Sequence, residues 1–543
     1  MRATKLDEEQ IRTNTEAGFW TGNMIDDYLS SAAARTPGAV AVVDRTGSRT
    51  YRELDTDVNR LASALRRRGL GRGDVMSWML PNWAEAIIVH LAAIRLGAVS
   101  NPIIPIYRHQ ETTFILRQAT SKIVVVPHEF RGFDYPAMIE DIRGGLPALE
   151  AVVVVGAPPG SAHVGFDALL DEGSSEPIDH GGRTADDVVL LLYTSGTTSA
   201  PKGALHSHNT LDHENRSIIE FFALTTSDVV FMPSPVGHII GVLYGMQLPF
   251  MLGTTVVLLD VWNPERALEL IQEHRCTFTV AATPFLHGIV HHPRRAEFDT
   301  ASMRVFACGG ADVPPELIRS ATRALGCTVS RGYGSTEYPT ATAGNAADAL
   351  ATRAQTDGRA IGAAQVRVAA DGELQVRGPE MFLGYLDSSL NADTFTDDGW
   401  LRTGDLARID DDGYVEIVGR QKDIIIRGGE NISAKEIEDQ LFEHPAIADA
   451  AVVSAPDPVL GELVCAVVVP APGASITLPE LVEWLTARRM ARQKRPERLL
   501  LLDELPRNAS GKVQKFRLRE LTRADAEPAH PTDPSTRPIG VRR

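Results

Sequence analysis

Cysteine is scarce in this chain of 543 residues: only Cys276, Cys308, Cys327 and Cys465 occur, far apart and without paired metal-ligand spacing. That excludes a disulfide framework or a zinc site built on cysteine pairs, and leaves buried reduced thiols as the reading. An excess of positive charge is missing too. The formal net charge is −16, which argues against a general nucleic-acid surface and for small-molecule chemistry. Met1 to Gln10 is rich in charge and holds no apolar core of a secretory signal, so a cytoplasmic location is expected. Val229 to Leu259 lacks Asp, Glu, Lys and Arg and is long enough to span a bilayer. Pro233, Pro235, Gly237, Gly241, Gly245, Pro249 and Gly253 interrupt it, so a strand, a glycine-lined helix and a second strand are expected, forming a buried pocket wall and no membrane span. The chain has no internal repeat.

The length exceeds one ordinary core, and a hydrophobic content of 43% supports a folded protein of several units. Leu54, Val58, Leu61, Ala62 and Leu65 keep helical spacing, with Gly69 just past the end. Asp74–Leu80 then reads as a strand, Pro81–Leu96 as an apolar helix and Ala98–Ile104 as a strand, which is βαβ logic. Further strands are expected at Lys122–Val126, Ala151–Val155 and Val188–Leu192. After Trp400 the texture turns short, acidic and glycine-punctuated, and a boundary is expected near Arg420. Beyond it, Ser433–Phe442 reads as a helix capped by Ser433, with strands at Ala450–Ser454 and Val464–Val469. The fold class is α/β. Residues 1–29 form an N-terminal extension, 30–420 a large multi-layered domain, 421–523 a small mobile α+β domain, and 524–543 a disordered tail.

Tyr193-Thr-Ser-Gly-Thr-Thr-Ser-Ala-Pro-Lys-Gly203 packs hydroxyls, glycines and one lysine into a turn-forming segment after the apolar run Val188–Leu192. Glycine backbone, Ser and Thr hydroxyls and the mobile charge of Lys202 suit phosphates, and a strand's carboxyl end is where open α/β sheets bind ligands. The spacing is not that of a Walker loop, because Lys202 precedes its glycine after a proline. Taken alone, a plain surface turn of the same composition fits as well.

Further motifs follow in order: Gly332-Tyr-Gly-Ser-Thr-Glu337, Gly372-Glu-Leu374 with Arg377-Gly-Pro379, Gly399-Trp-Leu-Arg-Thr-Gly-Asp405, Gly419-Arg-Gln-Lys-Asp423 with Gly428-Gly-Glu-Asn-Ile432, and Pro506-Arg-Asn-Ala-Ser-Gly-Lys512. With the loop Thr194–Gly203, they make the chain, from about residue 30 to about 520, resemble the adenylate-forming enzymes. That superfamily joins acyl-CoA synthetases, adenylation domains of peptide synthetases and beetle-type luciferases. The resemblance implies that ATP and a small carboxylic acid form an acyl-AMP with release of pyrophosphate, after which a thiol takes the acyl group. The Gly-Gly-Glu-Asn-Ile form is similar to acyl-CoA synthetases and implies CoA as acceptor. A stand-alone enzyme loading an acyl carrier protein, a luciferase-like oxidoreductase and a non-catalytic nucleotide binder are the competing readings, and a homodimer is an open assembly.

By that resemblance Thr194, Ser195, Gly196, Thr197, Thr198 and Lys202 grip the β- and γ-phosphates, and Glu337 holds Mg²⁺, a hard cation suited to phosphate and carboxylate oxygens. Thr336 contacts the α-phosphate. Tyr333, between Gly332 and Gly334, lies against adenine, and Gly309 and Gly310 pass beside nucleotide and acyl group. Asp405 accepts from the ribose hydroxyls with Arg420 as its partner, and Lys512 is the catalytic lysine. Lys422 matches the hinge about which the small domain rotates, bringing Gly428 and Gly429 to the pantetheine route. His238 aligns with a histidine between acyl pocket and thiol route, and Gly241, Val242, Tyr338, Pro339, Thr340 and Ala341 are expected to shape a pocket for a modest apolar or aromatic acid. Cys308 is a core thiol in this reading. The basic cluster Arg488, Arg489, Arg492, Lys494, Arg495 and Arg498 meets CoA phosphates or an acidic carrier, or is simply a solvated face.

Overall fold

The fold is that of a computed structural model describing residues 8–179, 181–194, 201–310, 312–508 and 511–524. Two large sheets dominate. One has seven strands in the order Lys202–Ser207, Val188–Thr194, Val99–Pro102, Val75–Trp78, Ile123–Pro127, Ala151–Val155 and Val164–Gly165. All neighbours are parallel except Lys202–Ser207, which runs back along Val188–Thr194. Its central strands are nearly continuous valine and isoleucine because both faces are buried. The other sheet has nine strands, with Phe278–Ala281, Val305–Cys308 and Thr328–Tyr333 parallel neighbours in its middle.

Between the sheets lies the main hydrophobic core. Every residue of the helix Ala84–Arg95 is buried there, which explains why its sequence is apolar nearly all round. The helix Tyr51–Arg67 instead shows one apolar face and is started by a Thr50–Glu53 capping box. The uncharged stretch folds as strand Val229–Met232, helices Ile239–Met246 and Leu248–Leu252, and strand Thr255–Leu258. No helix among the described residues is long and apolar enough to cross a membrane. The N-terminal stretch is fastened to the body, since buried Trp20 donates its indole N–H to the Pro379 carbonyl at 3.0 Å.

A four-stranded antiparallel sheet, Gln365–Val368 through Val415–Arg420, closes the larger unit. A 3₁₀ turn at Gln421–Asp423 follows, and Ile424–Arg427 opens a five-stranded sheet whose long hairpin pairs Ile447–Asp457 with Gly461–Pro470. The helix Ala434–Leu441 packs on it, capped by Ser433, whose hydroxyl accepts from the Glu436 N–H. The last helix is Lys515–Ala524, so all but the first residue of the expected tail lies outside the described residues.

Thr194 and Lys202 end and begin two antiparallel neighbouring strands and stand opposite each other in register, the strand Lys202–Ser207 being the sheet edge. The apolar run Val188–Leu192 predicts the first strand, whereas the returning strand has no local signal in the sequence. Ser195, Gly196, Thr197 and Thr198 lie outside the described residues.

Candidate active site

A cavity of about 1180 Å³ opens at the carboxyl ends of Phe278–Ala281, Val305–Cys308 and Thr328–Tyr333, and the small C-terminal sheet unit closes over it. Its lining gathers Thr194, Lys202, His238, Gly309, Gly310, Gly332, Tyr333, Gly334, Thr336, Glu337, Pro339, Thr340, Asp405, Arg420, Lys422 and Lys512 from distant parts of the sequence. Gly309 has no room for a side chain, since a Cβ there would stand 2.7 Å from the Gly332 carbonyl oxygen.

Strand register sets one polar corner. Asp405 and Arg420 are partners across the antiparallel strands Leu401–Ile409 and Val415–Arg420, and Arg420 Nε reaches Asp405 Oδ1 at 2.8 Å. Tyr333 donates its hydroxyl to Asp405 Oδ2 at 2.7 Å. Each carboxylate oxygen therefore has one protein donor and a lone pair to spare.

A second corner is fixed by the edge strand that carries Lys202. On the same strand His206 is fully buried and its Nε2 donates to the Thr336 carbonyl at 2.7 Å, tying down the Thr336–Glu337 turn. Burial holds His206 down at about 4, so the ring is neutral at physiological pH. Tyr385 donates its hydroxyl to Glu337 Oε1 at 2.6 Å and its ring lies 5.2 Å from the Lys202 ammonium. Neither His206 nor Tyr385 was singled out from sequence. Tyr385 follows the Arg377-Gly-Pro379 motif closely, but only its backbone bridge to Ala204 reveals that it flanks the loop strand.

Lys512 enters from the small unit. Its own N–H donates to Asn508 Oδ1 at 2.8 Å, and Gly511 packs on Pro284 of the large unit. Burial first, then the Arg420 charge, pulls the Lys512 ammonium down to about 7, with Asp405 opposing. By exposed area its side chain is only half-buried, because it faces the cavity, whereas protein surrounds it at longer range. His238 stands near it: burial, then Lys512, lowers the imidazole to about 4.

Asp312, also on the wall, is open to the cavity by area yet ringed by cations. Burial works upward on its carboxyl, but Lys435, Lys515, Lys512 and Arg420 hold it at about 2. Lys435 Nζ stands 3.9 Å from Asp312 and 3.0 Å from Asp439, and Lys515 Nζ is 2.7 Å from Glu438.

This constellation coincides with a known sequence family. The profile described as AMP-binding enzyme matches residues 29–386, and that described as AMP-binding enzyme C-terminal domain matches residues 436–512. The chain belongs to the AMP-binding enzyme family. Among its relatives, a medium-chain fatty-acid–CoA ligase of Escherichia coli (strain K12) is 36% identical, with 96% of this chain and 94% of that one covered. A salicylyl-CoA synthase / salicylate adenylyltransferase of a Streptomyces species is 32% identical over 94% and 96% of the two chains. The crystal structure of ATP-bound MatB from Rhodopseudomonas palustris superposes with a TM-score of 0.82 at 29% identity, over 93% of this chain and 100% of that one.

In this AMP-binding enzyme the deeper cavity wall is apolar, with Ile218, Phe222, Ile240, Val280, Ala307 and Ala343. Pro339 and Thr340 reach it, but Tyr338 and Ala341 turn into the core of the four-stranded sheet. Val242 packs into the core between the large sheets, and Gly241 serves close packing, since a Cβ there would lie 2.2 Å from the Pro235 carbonyl oxygen. Gly428 and Gly429 form the turn between Arg427 and Glu430 and do not line the cavity. Cys308 lines it, with burial pushing its thiol up to about 12, which leaves no thiolate for nucleophilic work. Half of the basic cluster is engaged locally: Arg488 lies over the Trp484 ring at 3.3 Å, Lys494 pairs with Glu436 at 2.7 Å, and Arg495 donates to the Met490 carbonyl.

Proposed function

We propose that the chain is an ATP-dependent acid–CoA ligase, with Lys202 and Glu337 at the phosphates, Asp405 and Arg420 at the ribose, and Lys512 at the reacting carboxylate. The observation that carries this division is the convergence of these five side chains on one cavity from both structural units. The activated acid is joined to the α-phosphate of ATP, pyrophosphate leaves, and the acyl group passes from AMP to the CoA thiol. Two anions must meet in the first step, so the charges of Lys202, Arg420 and Lys512 offset repulsion that would otherwise keep carboxylate and polyphosphate apart. The neutral His238, beside Lys512, adds bulk and a hydrogen-bonding edge without further charge.

Mg²⁺ fits the donor set. Glu337 is a hard oxygen ligand with one oxygen fixed by Tyr385, and Mg²⁺ commonly takes one or two carboxylates with the remaining positions filled by phosphate and water. When bound, the ion neutralises phosphate charge. For the second step, removal of Lys512 by rotation at Lys422 would carry Gly428 and Gly429 from the surface towards the cavity. The apolar wall supports a medium-chain, alicyclic or aromatic acid, in keeping with relatives named for medium-chain fatty acids and for salicylate.

The deciding experiment is a panel of carboxylic acids assayed for pyrophosphate release with and without CoA. Acyl-CoA and AMP formed in equal amounts support the reading. Adenylate that moves only to a phosphopantetheinyl protein would replace CoA with a carrier, and no acid-dependent pyrophosphate would refute adenylation.

A further inference from the structure

Adenylation leaves one group of buried polar side chains without a task. Glu214, on the helix His208–Phe221, has none of its surface exposed. Tyr244, on the helix Ile239–Met246, donates its hydroxyl to Glu214 Oε1, and the same hydroxyl oxygen lies 2.6 Å from Thr340 Oγ1. Tyr244 and Thr340 line the cavity, and Glu214 stands behind them. The other carboxyl oxygen, Oε2, is buried beside Thr340.

Burying a carboxyl behind a wall that includes Ile218, Phe222 and Ile240 costs stability, and a purely apolar acyl pocket has no use for it. Hydrogen counting gives it one. Tyrosine has a single hydroxyl hydrogen, and here it is committed to Glu214. Threonine has one as well, and it is drawn inward to the Tyr244 oxygen or to the Glu214 carboxyl, beside which Thr340 sits. All hydrogens of the chain therefore point away from the cavity, and lone pairs point towards it. A methylene placed there gains nothing, an ether oxygen is repelled, and a hydroxyl or amino group completes the chain.

We propose that Tyr244 and Thr340, oriented by Glu214, form an acceptor subsite that selects acids carrying a hydroxyl or amino group remote from the carboxylate being activated. The inference rests on the adenylation reading and names the substrate class for it. Glu214 is a positioning residue, because it acts through Tyr244 and does not line the cavity. Burial lifts its carboxyl to about 7, so the inward direction of the chain is best read in alkaline buffer.

The test measures pyrophosphate release at about pH 8.5, well above the usual carboxylate range. The probes are benzoate and its hydroxy, amino and methoxy derivatives at each ring position, with hexanoate and its terminal-hydroxy counterpart. The expected result is that, for at least one placement, the hydroxy and amino acids exceed both the parent and the methoxy acid by roughly tenfold in kcat/KM. Tyr244→Phe then brings that ratio near one. Thr340→Ser keeps the preference and Thr340→Val lowers it. Glu214→Gln, whose amide donates as well as accepts, narrows the gap between hydroxy and methoxy acids. Equal turnover of parent, methoxy and hydroxy acids by the unaltered enzyme overturns the subsite, as does a preference that survives Tyr244→Phe. No pyrophosphate with any acid, at about pH 8.5 or at about pH 6.5 where Lys512 keeps its charge, would instead sink the adenylation reading on which the subsite stands.

Discussion

Tyr385 holds Glu337 by a hydrogen bond of 2.6 Å while its ring faces the Lys202 ammonium at 5.2 Å. One aromatic side chain thus touches both the carboxylate assigned to the metal and the lysine assigned to the phosphates. Burial, then the Glu337 charge, drives the Tyr385 hydroxyl above its ordinary range, so it remains a donor across the working pH range. Tyr385→Phe keeps the ring under Lys202 and deletes only the donor. We expect kcat/KM for ATP to fall about ten- to hundredfold, the scale of one hydrogen bond to a charged group, with thioester formation from preformed adenylate unaltered. Steady-state kinetics at varied Mg²⁺ checks this, and an unchanged value would show that Glu337 needs no such support.

Lys512 gives a pH signature. Its ammonium is pulled down to about 7, so the charged form is complete below that value and is lost as pH rises through it. In its proposed role Lys512 acts in the charged form, and kcat/KM for ATP should therefore fall on the alkaline side with a midpoint near 7, a property of the free enzyme. Lys512→Arg, which stays charged, should abolish this limb at the expense of a lower plateau. Lys512→Ala should lower acyl-adenylate formation about a thousandfold while leaving thioester transfer largely intact. An unchanged ATP–pyrophosphate exchange rate in the alanine variant would remove Lys512 from the chemistry.

Asp405 should couple to that limb. Its charge opposes the two effects that depress Lys512, burial and Arg420. Asp405→Asn removes the opposing charge, so the midpoint should move to lower pH as KM for ATP rises roughly tenfold or more from the lost acceptor. A pH–rate profile of the variant decides it, because a plain loss of ribose binding would raise KM and leave the midpoint where it was.

Fold and candidate site are legible in the sequence wherever local pattern and function coincide. The valine runs of the parallel strands and the helix after Ser433 declare themselves by periodicity and capping. The strand Lys202–Ser207 did not, because Lys202-Gly-Ala-Leu-His-Ser207 has neither clean alternation nor a β-branched run, and only pairing with Val188–Thr194 makes it a strand. Tyr338 and Val242 were expected to shape the acyl pocket from their place beside motif residues. Neighbouring positions in a turn or helix face different ways, however, and their side chains point into two cores while Thr340 and Tyr244 face the cavity. Partners such as Glu337–Tyr385 and Tyr244–Glu214 are separated widely along the chain, and no local signal announces them.

The seam between the two units offers the last prediction. Asp312, on the large unit, is the acidic wall residue facing Lys435, Lys515 and Lys512 of the small unit. A single exposed ion pair is worth little, but here one carboxylate lies among three lysines, two of which also pair with Asp439 and Glu438, and their mutual repulsion would rise without it. Asp312→Asn should therefore weaken the arrangement in which Lys512 faces the cavity. The expected result is an adenylation rate reduced about threefold at low salt, with thioester formation equal to or faster than that of the unaltered enzyme. Single-turnover measurement of the two half-reactions separates them. Equal losses in both would mean that Asp312 supports the cavity wall rather than the closure of the small unit, and an effect independent of salt would speak against charge as its cause.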